Sequence, residues 1–470
     1  MFVATTNTCK GRWAFVALAA VTLAACSTAD DTAETTSPTT VPSTVPATVP
    51  DSGAATTEPA VTSTTEAAPP ADFVLGFDLF SGDLNATRAK YGVQGQNENL
   101  SPEDYFVALM DAYNDEGGIS GHKIVPLNYT PPTGDVAGDV VNQERCETYF
   151  KGPTVVNALV ATNDPIVNTC ANDANTILFG RGFTGLDQAS LDTFAGHVNP
   201  QAATFDRAAL ATVDLGVKAG VVKEGTSVGV IYPGCEAQKA VFNDTLKPAL
   251  ERAGAKVSAF ESTCIRSSAD QGTAVAQSPN AILQWKTDGV TAVYNLDTGF
   301  IGTALLMSEA DKQGMTPTWV LSTNNEFGAL NSMSPPAAQM ANVIAAGWSA
   351  ALDTFEMDPA KLGPKAQECI DKFTAQGIPA PANIGELANR LDVCSTFLAL
   401  EVMLAGNPGE IDRSQMLTAL ESSSDDTAAL TNSLDWTSSR QPNVTYRPAK
   451  FDPAVGQFVY TGDLTPMPES

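Results

Sequence analysis

Histidine is nearly absent from this 470-residue chain: only His122 and His197 occur, so three-histidine metal sites and Ser-His-Asp machinery have little to build on. No C-x-x-C pair occurs, which disfavours a thiol oxidoreductase or a zinc ribbon. G-x-S-x-G, the P-loop pattern and G-x-G-x-x-G are missing as well, and with them the usual signatures of hydrolase, nucleotide and dinucleotide sites. No cofactor or metal is therefore expected. Basic residues are scarce, 26 against 53 acidic, for a formal charge of −27, which argues against a nucleic-acid partner and for a solvated acidic surface.

What the sequence does contain begins with a targeting segment. Lys10 and Arg12 precede the apolar stretch Trp13 to Ala25, which is too short to span a bilayer comfortably, and "LAAC" closes it at Cys26. Small residues before a cysteine at this place resemble the lipobox of bacterial lipoproteins, which implies a signal peptide over 1–25 and a lipidated Cys26; an ordinary cleaved signal is the alternative. Residues 26–71 follow as a Thr/Pro/Ala-rich tether, with no Leu, Ile, aromatic, Lys or Arg after Cys26. Such a segment cannot bury enough apolar area to offset ordering, and at roughly 3 Å per residue its length reaches about 100 Å or more.

Eight cysteines are present. Setting aside Cys9 in the signal and Cys26 at the anchor leaves Cys146, Cys170, Cys235, Cys264, Cys369 and Cys394, an even number suited to disulfides in an exported chain. Six cysteines allow fifteen connectivities. Sequential pairing, suggested by three similar spacings, closes loops of 24, 29 and 25 residues, each contributing roughly 3 to 4 kcal/mol on the chain-entropy model.

From Asp72 onward, apolar strands alternate with helices. "FVLGF" reads as a strand, and "SPEDYFVALMDAYND" as a helix with Ser101 as N-cap and Pro102 in the first turn. "GG" then ends that helix before the strand "HKIVPLNY". Strands follow at "TVVNALVA", "TILFG", "TSVGVIY", "AKVSAF", "GVTAVYNLD" and "PTWVLS", with helices between them, including a long one from Gln201. The alternation predicts an α/β protein with doubly wound parallel sheets and right-handed crossovers.

The helix-to-strand junction "NDEGGISGHKIVPL" resembles the first such junction of type I periplasmic binding proteins, specifically the branched-chain (Leu/Ile/Val) amino-acid binding family of ABC importers. "VGVIYPGCEAQKAVFNDTL", "ERAGAKV" and "SEADKQGMTPTWVLS" match later junctions in order, and the resemblance covers about Asp72 to Tyr460. It implies two lobes joined by three crossovers and closing on a small ligand, with lobe one at 72–198 plus 327–430 and lobe two at 199–326 plus 431–470. It also implies a monomer held outside the cytoplasm at the bacterial cell membrane through Cys26, with an ABC permease as partner.

In open parallel sheets, ligands sit beyond the carboxyl ends of the strands. Those ends supply the candidate ligand-binding residues Phe80, Ser81, Thr162, Asn163, Thr184, Tyr232, Asp297 and Glu326. By resemblance, Thr162 and Thr184 hold the carboxylate of an amino acid or related polar solute, Glu326 or Asp297 accepts from its ammonium, and Tyr232 and Phe80 cover its side chain. "ATNDP" and "GRGFTG" depart from the Ser- and Ala-rich loops usual there. For Arg181, in the second of these, a salt bridge outside the cleft is expected. Two other readings are a ligand sensor sharing the fold and a two-carboxylate hydrolase, although no acid spacing singles out a pair.

Overall fold

The computed structural model describes residues 70–77 and 102–469, without 131–135, 137, 153, 155, 162–163, 183–184, 266–267, 406, 408, 410 and 425. The signal, Cys26 and the tether up to residue 69 lie outside the described residues, as do the candidate positions Phe80, Ser81, Thr162, Asn163 and Thr184.

Two sheets organise the chain. The first has order β2-β1-β3-β4-β5 and is parallel throughout: β1 Phe73–Phe77, β2 Ile124–Asn128, β3 Ala158–Ala161, β4 Ile177–Gly180 and β5 His197–Val198. The second has order β12-β11-β10-β9-β8-β6-β7, built from β6 Ser227–Pro233, β7 Lys256–Ser262, β8 Ala292–Asn295, β9 Thr318–Ser322, β10 Val343–Gly347, β11 Thr445–Asp452 and β12 Gln457–Tyr460. Strands β6 to β10 run parallel, whereas β11 and β12 form an antiparallel edge. That edge departs from the purely parallel expectation. It comes from a hairpin around Val455 and Gly456, whose strands need no helical crossover.

Both faces of each sheet are covered, which is the doubly wound arrangement. One core joins Leu75, Phe77 and Phe179 to Phe106, Phe373 and Phe397 on the helices Pro102–Asp115, Ala366–Ala375 and Ile384–Ala405. The opposite face of the first sheet is closed by Tyr149, Val167 and Ala171. Around the second sheet, Val230, Phe242 and Trp348 pack on one face and Trp285, Met307 and Trp319 on the other.

The junction at 111–127 folds as the sequence predicts. Gly118 adopts φ +83°, and a Cβ there would lie 2.1 Å from the carbonyl oxygen of His122, so only glycine closes this turn. Ile119 and His122 then bridge across it, and the buried His122 ring lies 2.8 Å from the Ala71 carbonyl oxygen and 2.7 Å from that of Asn407. Disulfides join Cys146 to Cys170, Cys235 to Cys264 and Cys369 to Cys394, with Cα separations of 5.8, 4.9 and 5.9 Å.

The chain passes between the sheets three times: after β5, after β10, and in the stretch leading to β11. Residues 327–347, expected with the first sheet, stay with the second through β10, because Val343–Ala346 pair with Trp319–Ser322 and Ile344–Gly347 with Arg447–Lys450. The second crossing is thus at Trp348 and Ser349. The first spans 199–204 rather than opening a helix at Gln201, since Thr204 caps the helix Phe205–Lys218.

The three crossings are hydrogen-bonded to one another. Trp348 Nε1 donates to Gln201 O (3.1 Å), Ser349 Oγ to Leu430 O (2.9 Å), and the amide of Asn432 to Trp348 O (2.8 Å). Asn443 Nδ2 reaches Ala202 O (3.0 Å), and the amide of Asn199 reaches Arg440 O (2.9 Å).

Asp353 anchors this knot. Its carboxylate, 1 % exposed, accepts from Thr323 Oγ1 (3.0 Å), the Ser349 amide (2.9 Å) and Tyr460 Oη (2.8 Å), and Thr323 Oγ1 in turn accepts from the Trp348 amide (2.9 Å). Desolvation outweighs these donors and pushes the Asp353 carboxyl up to about 7 from 3.8. Arg447 stacks on the Tyr460 ring at 4.8 Å, leaving the carboxylate without a direct ion pair among the described residues.

A folded-state pKa above the unfolded one means that the native state holds an extra proton in the interval between them, so Asp353 adds stability below about pH 4 and loses it as pH rises through 7. The stability of Asp353→Asn relative to the native protein should therefore rise between pH 4.5 and 7.5, read from urea midpoints. A difference that is constant with pH would show that the carboxyl is ionised throughout.

Candidate functional site

At the carboxyl ends of β8 and β9, short polar loops are fixed by asparagines. Asn295 Nδ2 donates to Thr298 Oγ1 and Thr303 Oγ1, both at 2.6 Å, and Asn295 Oδ1 accepts from the Thr298 amide (3.1 Å). Asn325 Oδ1 accepts from the Ser322 amide (2.9 Å), while its Nδ2 donates to Asn295 O (3.1 Å). The loops after β8 and β9 are thereby locked together. These asparagines are buried, and sequence reasoning missed them; the clusters "NLDTG" and "STNNE" are the only signal it offers.

Each locked loop presents one acid from a left-handed backbone. Asp297 has φ +69° and Glu326 has φ +49°. Non-glycine residues rarely adopt this region, and those that do concentrate at functional sites. Asp297 is half-buried and its Oδ2 accepts from Gln238 Nε2 at 2.9 Å. Glu326 is exposed. The structure thus brings Asp297 and Glu326 onto two adjoining loops.

Tyr232, the third described candidate, is only 7 % exposed and stacks on Phe242 with 4.4 Å between ring centres. Phe242 belongs to a π-helical turn, Val241–Leu246, inserted between the helical segments Glu236–Ala240 and Lys247–Arg252; such turns recur at functional sites. Burial and the Glu261 carboxylate push the Tyr232 hydroxyl pKa up, and Glu261 itself pairs with Lys239 at 2.7 Å. Tyr232 is therefore a packed ring rather than a free cover. The loops after β6 and β7 are stapled beside it by the Cys235–Cys264 bond and by the Gly234 amide on Ser262 O (2.7 Å).

A cavity of about 250 Å³ opens beside Glu326, between the helices Ser268–Thr287 and Gly299–Lys312. Ile231, Val275, Phe300, Ile301 and Leu306 form its apolar walls. Ser262, Ser278 and Thr298 place hydroxyl-bearing side chains along it, and Glu326 is the one charged lining residue among those described. A second, water-sized space of about 10 Å³ lies by Thr212, Asp297 and the buried Asn324, whose Oδ1 has no hydrogen-bond partner.

The remaining conspicuous groups are structural. Arg181 pairs with Asp392 (Nη2 to Oδ2, 2.6 Å) on the helix Ile384–Ala405. His197 is buried with Nδ1 at 2.8 Å from Asn168 Oδ1, and burial followed by nearby Arg440 pushes its pKa down to about 3. Among the described residues, no group of three or more His, Cys, Asp or Glu could hold a metal ion, and no helix is long and apolar enough to cross a membrane.

No family model and no curated protein matches the chain. Solved structures do. A fatty acid ABC transporter substrate-binding protein from Thermomonospora curvata shares 16 % identity at a TM-score of 0.55, covering 84 % of this chain and 92 % of that one. A leucine binding protein from Thermotoga maritima shares 12 % at 0.57, covering 83 % and 98 %. A solute binding protein of an ABC transporter from Rhodopseudomonas palustris, in complex with 3,4-dihydroxybenzoic acid, shares 12 % at 0.57, covering 85 % and 98 %. The architecture is the type I periplasmic-binding-protein fold.

The left-handed backbone at Glu326 carries a testable cost. A non-glycine residue there loses about 1 to 2 kcal/mol of conformational energy, against roughly 0.4 to 1 kcal/mol of unfolded-state entropy that glycine would add. Glu326→Gly should hold or slightly raise the urea midpoint. A loss of unfolding free energy of more than about 1 kcal/mol would show that Glu326 serves the fold rather than a site.

Proposed function

We propose that this chain is an extracytoplasmic solute-binding protein of an ABC importer, which captures a small solute by closure of two lobes and hands it to a membrane permease without chemical turnover. The observation that carries the reading is the pairing of two doubly wound sheets through three mutually bonded crossings, with carboxylates held on rigid loops at the strand ends. Open parallel sheets bind ligands at that place, and packed bodies linked by a few short segments are the repertoire of hinge closure.

In this reading lobe one is 72–198 with the segment after the second crossing to about 430, and lobe two is 199 to the second crossing with 431–470. The ligand is an amino acid or a similarly small polar solute, with Phe80, Ser81, Thr162, Asn163 and Thr184 contributing from lobe one and Tyr232, Asp297 and Glu326 from lobe two. Similar structures are those of a protein in complex with leucine, a fatty acid transporter's binding protein and a protein in complex with a dihydroxybenzoic acid, three solute chemistries on one fold. The solute class must therefore be read from this chain's own residues. Cys26 carries the lipid anchor, the tether lets a monomeric body reach its permease, and the Leu/Ile/Val-binding family is the proposed kinship.

Native mass spectrometry of protein purified without refolding tests this directly. A stoichiometric small-molecule adduct is expected, and its release should lower the melting temperature, because a ligand at a hundred times its dissociation constant stabilises the folded state by about 2.7 kcal/mol. A protein that carries no adduct, and whose melt is unmoved by amino acids, amides and short organic acids, would refute the proposal.

A further inference from the structure

We infer that Asp353 clasps the two lobes to each other through its side chain, and that loss of its proton loosens the clasp, so that the angle between the lobes follows pH. The inference rests on the two-lobe reading above and adds a control of closure that the solute does not supply.

The carboxylate reaches from one lobe to the other. Asp353 ends the short helical turn Ala350–Asp353, just after the second crossing, and Ala351 in that turn belongs to the core around the first sheet. Its two hydroxyl partners belong to the second sheet: Thr323 follows β9 and Tyr460 ends β12. The third donor, the Ser349 amide, ties the same carboxylate back to the crossing. The contact is built for close approach. A Cβ on Gly328, in the 3-10 turn Phe327–Met333, would collide with the Leu352 carbonyl oxygen and lie 2.8 Å from that of Asp353. The second lobe's backbone thus meets this turn with no side chain between them. Bending at the second crossing therefore moves Thr323 and Tyr460 relative to the carboxylate they hold.

Among the described residues, no cation pairs with this carboxylate. The helix Ile384–Ala405, which packs on the turn, carries four charged groups that are engaged elsewhere: Arg390 pairs with Glu386, Asp392 with Arg181 and Glu401 with Lys372. The turn Phe327–Met333 and the strands β9 and β10 carry no charged residue. From β11, Arg447 stacks on the Tyr460 ring, while Lys450 and Asp452 alternate onto that strand's other face. Glu356, three residues on, pairs with Lys361 at 3.2 Å. Tyr460 stays a donor, because burial and then Asp353 push its hydroxyl pKa up. Ionisation therefore leaves a charge in a dry contact with hydroxyl and amide donors alone, and parting of the lobes is the movement that lets water reach it. A conformer with Asp353 hydrated titrates lower, so a rise of pH through about 7 favours the parted state. Between pH 5.5 and 8 the ratio of clasped to parted molecules should fall by about tenfold or more.

The test is small-angle X-ray scattering of the intact protein, freed of retained solute, from pH 5 to 8.5 at about 0.15 M salt, which screens the surface charge. The radius of gyration should rise in one step near pH 7. Asp353→Asn, which cannot ionise, should keep the low-pH radius throughout. Tyr460→Phe removes a donor to the charged form, so its step should move up by about one pH unit. A native radius that is flat with pH, an Asp353→Asn step like the native one, or a Tyr460→Phe step that is unmoved or moves down would each overturn the inference. Should Asp353→Asn fail to fold, the direction of the Tyr460→Phe shift decides. A flat radius in a protein that carries a solute adduct by native mass spectrometry would overturn the clasp and leave the solute-binding reading standing. The predicted step in a protein with no adduct would support the clasp and strike at that reading instead.

Discussion

The hydrogen bonds that tie the three crossings to each other are the constraint on which the rest of the molecule depends. Trp348, Ser349, Asn199 and Asn443 are buried, so their polar groups need partners inside the protein, and each of these residues makes at least one hydrogen bond to another crossing or its flank. A single such bond contributes only about 1 kcal/mol net, but leaving its buried partner unsatisfied costs about 1 to 3 kcal/mol. The crossings therefore hold as a set. Three connections side by side resist twisting of one sheet against the other more than they resist bending across their line, which is the motion that a closing cleft needs.

Asp353 shows how tightly that knot is drawn. A buried carboxylate bonded to Thr323 just after β9, to the second crossing and to β12 spans chain separations of 30, 4 and 107 residues. Among the described residues none compensates its charge with an ion pair, and burial pushes its pKa up. Gly347 belongs to the same arrangement: a Cβ at that position would lie 2.4 Å from Asp353 Oδ2, so the strand end has to be glycine for the acid to fit.

The legible part of the sequence was its local part. Alternating strands and helices, the glycine turn at 117–121 and the three cysteine spacings are all features of neighbours within about thirty residues, and pattern reasoning reaches that far. The crossing at Trp348 was not legible, because "NVIAAG" reads equally well as a strand of either sheet and only pairing with β9 and β11 decides it. The Asn295–Asn325 lock and the cavity beside Glu326 depend on contacts between loops and helices that no periodicity announces. Of the candidate residues, Asp297 and Glu326 stand on adjoining loops, Tyr232 is packed away more deeply than a covering residue would be, and the other five lie outside the described residues.

The account turns on two lobes that close over a solute, and small-angle X-ray scattering reads that closure without requiring the solute to be named. Protein carrying its retained solute, the same protein stripped by partial unfolding and dialysis, and the stripped protein with the solute restored should give a radius of gyration that rises on stripping and returns on restoration. Identical scattering in all three states, with the solute shown by mass to leave and rebind, would contradict it.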